Sequence, residues 1–443
     1  MILRAPLFHF LACVCIFVPC AHAQVVGFKE LYRAALTYDA QYRSALQERE
    51  AGLQNKDIAK SQLLPQIQYN FNRSDNRLDH RTSASSGGVT SLDPLSYRSL
   101  YSGVSLRQAI YNREASARYK QGQYQESLAK LQFESKELEL IVRLSESYIN
   151  FWVTLSQLRF SNEQEVVLMR QLESLAQQYQ QGEASVTDVL DAQSKVELMK
   201  AQTIESKSNH LVARRSLLAL VGPDFLRATV EIEPPFGQKL LSRLPQRSLP
   251  EWERQVVEGN LDLKLQRLLV AIAQEETKRV MAGHMPKADL VASFAKSESE
   301  SVNLINQAYF SKSVGAQLSI PLYSGGGVSA QSAQAVAQLA KVQADADQET
   351  EKILMEVNRQ FVLWEQSVAK TQALNHALTT TKNLIVAMEK SVLGGVRTPL
   401  DVMQARLQEH QLKRDALQAE YMALASAIRL RWLASELTPA DMH

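Results

Sequence analysis

Ser313-Val314-Gly315-Ala316-Gln317-Leu318-Ser319-Ile320-Pro321-Leu322-Tyr323-Ser324-Gly325-Gly326 is the stretch on which the fold turns. Val314, Ala316, Leu318, Ile320 and Leu322 alternate with Ser313, Gly315, Gln317 and Ser319, the period-two pattern of a strand with one apolar and one polar face. Behind it, Gly325-Gly326 opens a proline-free helical segment from Gly327 to Gly394, about 68 residues and so roughly 100 Å long at helical rise. Short strands joined to a rod of that length do not fit an ordinary globular domain.

The same plan occurs once earlier in the chain. Gly103-Val104-Ser105-Leu106 through Ile110-Tyr111-Asn112 lines up with Gly315-Ala316-Gln317-Leu318 through Leu322-Tyr323-Ser324. Gly182 followed by Asp188-Val189-Leu190-Asp191-Ala192 lines up with Gly395 followed by Asp401-Val402-Met403-Gln404-Ala405. Leu64-Pro65 pairs with Met285-Pro286, each closing a helical stretch and opening a strand-like one. Three matches in one order indicate a duplication.

The first repeat is expected over 24–221, with a helix from Val26 to Leu63, strands 65–76 and 99–110, a long helix 113–181 and a helix 187–220. The second is expected over 251–435, with a helix from Glu251 to Met285, strands 287–297 and 312–322, a long helix 327–394 and a helix 399–433. Pro223, Pro234, Pro235, Pro245 and Pro250 mark 222–250 as the connector, and 436–443 is a short tail. In each half the two shorter helices sum to about the length of the long one, which suits a slender bundle. A cytoskeletal coiled coil fits less well, because the apolar spacing drifts between three and four without strict heptads.

All four strand-like stretches alternate. Ile67, Tyr69 and Phe71 oppose Gln66, Gln68, Asn70 and Asn72; Leu100, Val104, Leu106 and Ile110 oppose Tyr101, Gly103, Ser105 and Arg107; Ala288, Leu290, Ala292 and Phe294 oppose Asp289, Val291, Ser293 and Ala295. Two readings explain this: soluble hairpins on a core, or transmembrane barrel strands of about 8 to 11 residues, apolar outward and polar inward. Residues 1–23 favour the second. Arg4, an apolar run from Leu7 to Val18 and Ala21-His22-Ala23 form a secretory signal peptide with the mature chain starting near Gln24. The apolar run, about 12 residues, is too short for a membrane anchor. No later apolar run reaches helix length, so spanning a membrane requires a barrel. Four strands cannot close one, and the chain must then assemble with copies of itself. The polar connections Asp75 to Tyr97 and Glu298 to Gln307 read as external loops.

Composition narrows the function further. Cys13, Cys15 and Cys20 all lie in the signal segment, so the mature chain has no thiol for a disulfide, metal or nucleophile. Pro19 before Cys20 suits lipoprotein processing poorly. A net charge of +2 with no basic block argues against a nucleic-acid partner. The 8 histidines are scattered without metal-ligand spacing, and no glycine-rich phosphate loop follows a strand. No catalytic residue, metal or cofactor is expected, and the chain is not expected to be an enzyme.

Taken together, the duplication, the Leu64-Pro65 and Met285-Pro286 strand entries, the Pro321 to Gly326 turn and the turns bearing Asp188-Val189-Leu190-Asp191-Ala192-Gln193 and Thr398-Pro399-Leu400-Asp401-Val402 resemble the TolC family of outer-membrane efflux and secretion proteins. The resemblance covers essentially the whole mature chain. It implies a mainly α fold with a small membrane β-barrel contribution: a homotrimer in which each protomer gives four transmembrane strands to a 12-stranded barrel and its duplicated long-helix bundle to a periplasmic tunnel. It also implies residence in the outer membrane with a long periplasmic extension, and as partners a periplasmic adaptor, an inner-membrane transporter and outer-membrane lipid.

In the family the tunnel closes at its periplasmic tip. The matching segments run from Gly182 to Ala192 and Gly395 to Ala405, with Asp401 and Gln404 at the acidic constriction and Arg397 at a basic latch position. Gln404 departs from the paired aspartates of the best-known members, and Val392 stands where they place a tyrosine. Asp188 and Asp191 are at the same height by the repeat alignment. Helix capping offers a competing account of the types present: Ser185 and Asp188 have Ser-x-x-Asp spacing, and Thr398, Pro399 and Asp401 supply an N-cap, a first-turn proline and an acidic third position. The expected function is an exit duct for secreted polypeptides, the type I secretion arrangement. The alternatives are an outer-membrane component of small-molecule efflux and a soluble periplasmic coiled-coil spacer.

Overall fold

The computed structural model describes residues 24–78, 81–83, 89–91, 95–223, 230–232, 247–300 and 304–439. The signal peptide at 1–23, most of the 222–250 connector, parts of both external loops and the last residues of the tail lie outside the described residues. The described residues are mostly helical and fall into two compact units. One draws on Met1–Asp39, Ser147–Phe236 and Pro439–His443, the other on Ala40–Glu146 and Gly237–Thr438.

In the second unit a single antiparallel sheet has the order β2-β5-β7-β8, with β2 Gln66–Leu78, β5 Leu95–Asn112, β7 Lys287–Glu298 and β8 Ala308–Ser319. Its register aligns the alternation across all strands: Ile67 faces Leu106, Leu106 faces Ala292, and Ala292 faces Val314. One row over, Gln68, Ser105, Ser293 and Ser313 are aligned on the opposite face. Each strand thus contributes its apolar residues to the same side. A short pair, β3 Arg81–Ser83 with β4 Val89–Ser91, lies in the loop between β2 and β5.

The short helices are segmented. The helix expected from Val26 to Leu63 is instead a strand β1 Gln24–Val26 and helices α1 Phe28–Tyr38, α2 Ala40–Leu53 and α3 Asn55–Ser61. The one expected from Glu251 to Met285 is α6 Leu249–Gly259 and α7 Leu261–Met281, with a 3-10 turn at Ala282–His284. Asn260 explains the second break. It is buried with extended backbone, its side chain accepts from the Leu263 amide at 3.0 Å, and its amide donates to the Leu433 carbonyl at 2.8 Å. Asp39, buried with a similar backbone at φ −59 and ψ 121, stands at the corresponding break of the first half.

The long helices are α4 Arg113–Gln180 and, after the α5 and α7 segments, α8 Gly327–Leu393; the partner helices are α5 Val186–Val221 and α9 Pro399–Leu433. In the second unit α8 packs along α9 and α7. Trp252, Val256, Leu263, Ile353, Val357, Leu430 and Leu433 form the core there. In the first unit α1 packs on α5, and the Phe28 ring meets the edge of Tyr148 at 5.6 Å. There β1 pairs in parallel with β6 Val230–Ile232, a strand inside the proline-rich connector that the composition of that segment did not announce.

Strand ends also differ from expectation. The strand expected at 312–322 ends at Ser319, because its partner β7 begins at Lys287 opposite that residue and Pro321 has no amide proton to continue a ladder. The strand expected at 99–110 extends to Leu95 and Asn112, with a bulge between Ala109 and Tyr111.

Candidate functional site

Two helix turns and one sheet carry the features on which a duct depends. In the first unit, α4 ends at Gln180 and the turn follows at Gly182, whose φ of +79° is left-handed. The Glu183 amide donates to Gln178 O at 2.9 Å and the Gly182 amide to Tyr179 O at 3.0 Å, a Schellman closure. In the second unit, Gly395 has φ +74°, Val396 donates to Ser391 O at 3.0 Å and Gly395 to Val392 O at 3.0 Å. The two turns are built alike. A Cβ at either glycine would meet nothing within 4 Å, so only the backbone conformation requires glycine. Gly325 and Gly326, also left-handed at +61° and +78°, turn the chain from the sheet into α8.

Each turn then enters a capped helix. The Asp188 carboxylate accepts from the Ser185 amide at 3.2 Å, and Ser185 Oγ accepts from the Thr187 amide at 3.2 Å. The Asp401 carboxylate accepts from the Thr398 amide and hydroxyl, both at 3.1 Å, while Thr398 Oγ1 accepts from the Asp401 amide at 3.3 Å. These hydrogen bonds, with the nearby Arg397 charge, hold the Asp401 carboxyl below the usual carboxylate range. Capping therefore occupies both aspartates. Asp191 is exposed and pairs with Lys195 one turn along at 2.7 Å. Gln404 and Arg397 are exposed, while Val402, Met403 and Ala405 between and beyond them are buried, so Asp401 and Gln404 share the solvent side of α9. The adjoining stem is tied by Arg406 to Glu389 at 2.5 Å.

On the sheet, Val314 is 80% exposed, Ile67 70% and Leu318 66%. A contiguous apolar face this open is what lipid covers. The opposite face carries uncharged Gln68, Asn70, Ser105, Ser313 and Gln317, with hydroxyls of Ser293 and Ser313 at 2.7 Å. Among the described residues its close ion pair is Arg107 to Asp289 at 2.5 Å. Both were expected on the polar face, but their pairing depends on the β5–β7 register, which neither strand's own pattern contains. At the sheet's helix end Glu114 takes Lys287 at 2.8 Å and Arg279 at 3.3 Å, joining α4, β7 and α7. The Lys287 hydrogen bond leads the effects that lower its carboxyl pKa.

A sheet apolar on one side and polar on the other, joined to helices tens of residues long, defines a membrane-strand duct component, and a soluble spacer has no use for its open apolar face. The family description "Outer membrane efflux protein" matches residues 31–223 and 252–435, and the chain belongs to that family. It is 32% identical over 424 residues to the alkaline protease secretion protein AprF of Pseudomonas aeruginosa, covering 95% of this chain and 87% of the relative. It is 32% identical over 427 residues to the proteases secretion protein PrtF of Dickeya chrysanthemi, covering 95% and 90%. The crystal structure of the outer membrane protein VceC from Vibrio cholerae shares the fold at a TM-score of 0.75 and 14% identity, covering 92% of this chain and 95% of that one. The protein is an outer-membrane protein of the channel-tunnel fold, from a family of ducts rather than enzymes.

Proposed function

We propose that this chain is the exit duct of a tripartite export system, passing secreted polypeptides from an inner-membrane ABC exporter and a periplasmic adaptor to the exterior. The observation that carries the reading is the 32% identity, over 95% of the chain, to two relatives whose names state protease secretion. The polar face of the sheet supports it: it is mostly hydroxyl and amide, and its Arg107 and Asp289 neutralise each other, so the lining favours neither acidic nor basic stretches of a passing polypeptide. The working form is a homotrimer in outer-membrane lipid, with the adaptor and transporter docked at the helical end and no nucleic-acid partner. Asp401, Gln404 and Arg397, with Asp188 and Asp191, form the periplasmic constriction, and the capping aspartates serve both the helix start and the ring of charge.

Complementation tests this. In a bacterium lacking its own duct but keeping a protease exporter and adaptor, the gene should restore protease to the culture medium. Small-molecule efflux is the second reading, favoured by the wording of the family description. Restored drug tolerance without secreted protease would select it.

A further inference from the structure

The apolar face of the sheet ends, on the side away from the helices, in two reciprocal lysine and phenylalanine pairs. In the β7–β8 register Phe294 is opposite Lys312, and Lys296 is opposite Phe310. Lys312 Nζ lies 5.5 Å from the Phe294 ring centre and Lys296 Nζ 5.8 Å from that of Phe310, so each amine rests over the ring across from it. Lys296 also pairs with Glu298. Among the described residues no carboxylate lies within ion-pair distance of Lys312. Directly beneath, Val104, Leu106, Ala292 and Val314 join Phe294 and Lys312 around a shallow groove of about 330 Å³ with small Ala292 between larger neighbours.

The depth of these lysines matters. Lys312 is about 27 Å along the chain from Ile320 at strand rise, or about 20 Å along the membrane normal at a tilt of roughly 40°. That places it near the far edge of the roughly 25 Å apolar band of an outer-membrane barrel, among Tyr69, Phe71 and Phe310 at aromatic-girdle depth. A lysine there meets outer-leaflet headgroups, and its unmatched charge attracts phosphate.

We propose that the groove seats an acyl chain of a phosphorylated, multiply acylated saccharide lipid of the outer leaflet, the lipid A class, with its phosphate on Lys312 beside the Glu298-paired Lys296. The proposal rests on the lipid-facing assignment of this face. Lysines that merely reach up to water would show no lipid preference. A zwitterionic phospholipid carries its own amine, which competes for the phosphate and makes it the poorer occupant.

The test uses the purified full-length protein stripped of lipid by detergent exchange. Native mass spectrometry would compare retention of diphosphoryl lipid A, its dephosphorylated form and phosphatidylethanolamine. Retention of diphosphoryl lipid A at least ten-fold above the other two is expected, and K296Q/K312Q should abolish that preference while leaving the oligomer intact. Equal retention of all three lipids, or a preference unchanged in K296Q/K312Q, overturns the proposal. Displacement of the lipid by millimolar inorganic phosphate would also overturn it, because the phosphate alone would then suffice without the groove. Leu318→Arg keeps the two levels apart: if that variant inserts normally, the lipid-facing assignment itself has failed.

Discussion

Asp401 accepts two hydrogen bonds from Thr398 and also sits on the exposed side of α9 with Gln404. The two roles separate in Asp401→Asn. Asparagine keeps hydrogen bonding and loses the charge that favours a helix start, so the helix should become slightly less stable. If three copies ring a narrow opening, single-channel cation selectivity should fall as well. Unchanged selectivity in planar bilayers would leave capping as the whole role. The pH dependence has a definite sign. A carboxyl whose folded pKa is depressed contributes above its unfolded value and is lost only as pH falls through the lower folded value, so selectivity should hold from pH 7 to about 5. At Gly395, alanine must adopt φ +74° without steric relief, and Gly395→Ala should cost about 1 kcal/mol in a denaturation series. The caps were readable in advance, since Ser-x-x-Asp and Thr-Pro-x-Asp are local patterns; the i,i+4 pair of Asp191 with Lys195 is equally local but was not among them. The setting of Arg397 was not, because a latch depends on which hairpins and copies meet, and no local spacing encodes that.

Elements show the same division between local and long-range information. Period-two alternation identified all four long strands and their two faces, because side chains on a strand must alternate. Their ends and the Ala109/Tyr111 bulge depend on the partner strand, so Ile320 and Leu322 continued the pattern past the point where the ladder stops. The breaks at Asp39 and Asn260 were likewise hidden, since neither residue forbids a helix and only burial among neighbours makes each a cap. The face assignment can be tested on adjacent residues of β8. Leu318→Arg places a basic group toward lipid inside the apolar band, where the cost rises toward roughly 2 to 4 kcal/mol only at the midplane, and should impair assembly, whereas Gln317→Arg should insert normally. Heat-modified mobility of membrane fractions would read both, and matching behaviour would reverse or void the assignment. At the sheet's base, Glu114 is about a quarter exposed and bridges Lys287 and Arg279. Glu114→Gln should lower stability by about 1 kcal/mol after solvent screening of the pair. Because the Glu114 pKa is depressed, the wild-type advantage should persist at neutral pH and vanish as pH falls through the folded value.

At the scale of the whole molecule, the outer strands decide the form. β2 and β8 are the ends of a four-stranded sheet, and each leaves one row of backbone amides and carbonyls without a partner inside the sheet. In hydrocarbon every such group must be paired, and open edges are not tolerated. Membrane barrels begin at about eight strands, so one copy cannot close a barrel alone, and in the proposed oligomer the β8 edge of one copy meets the β2 edge of the next. The proposed homotrimer takes that number as three. In mild detergent the protein should therefore run as a trimer by native mass spectrometry or light scattering. Its circular dichroism should be helix-rich, because α4, α5, α8 and α9 far outweigh the strands, whereas porin-type barrels are mostly strand. A folded monomer stable in mild detergent would show that the strand edges are satisfied some other way, and the duct would lose its closed wall. A trimer that dissociates in Leu318→Arg but not in Gln317→Arg would link closure to the lipid-facing side of the same sheet.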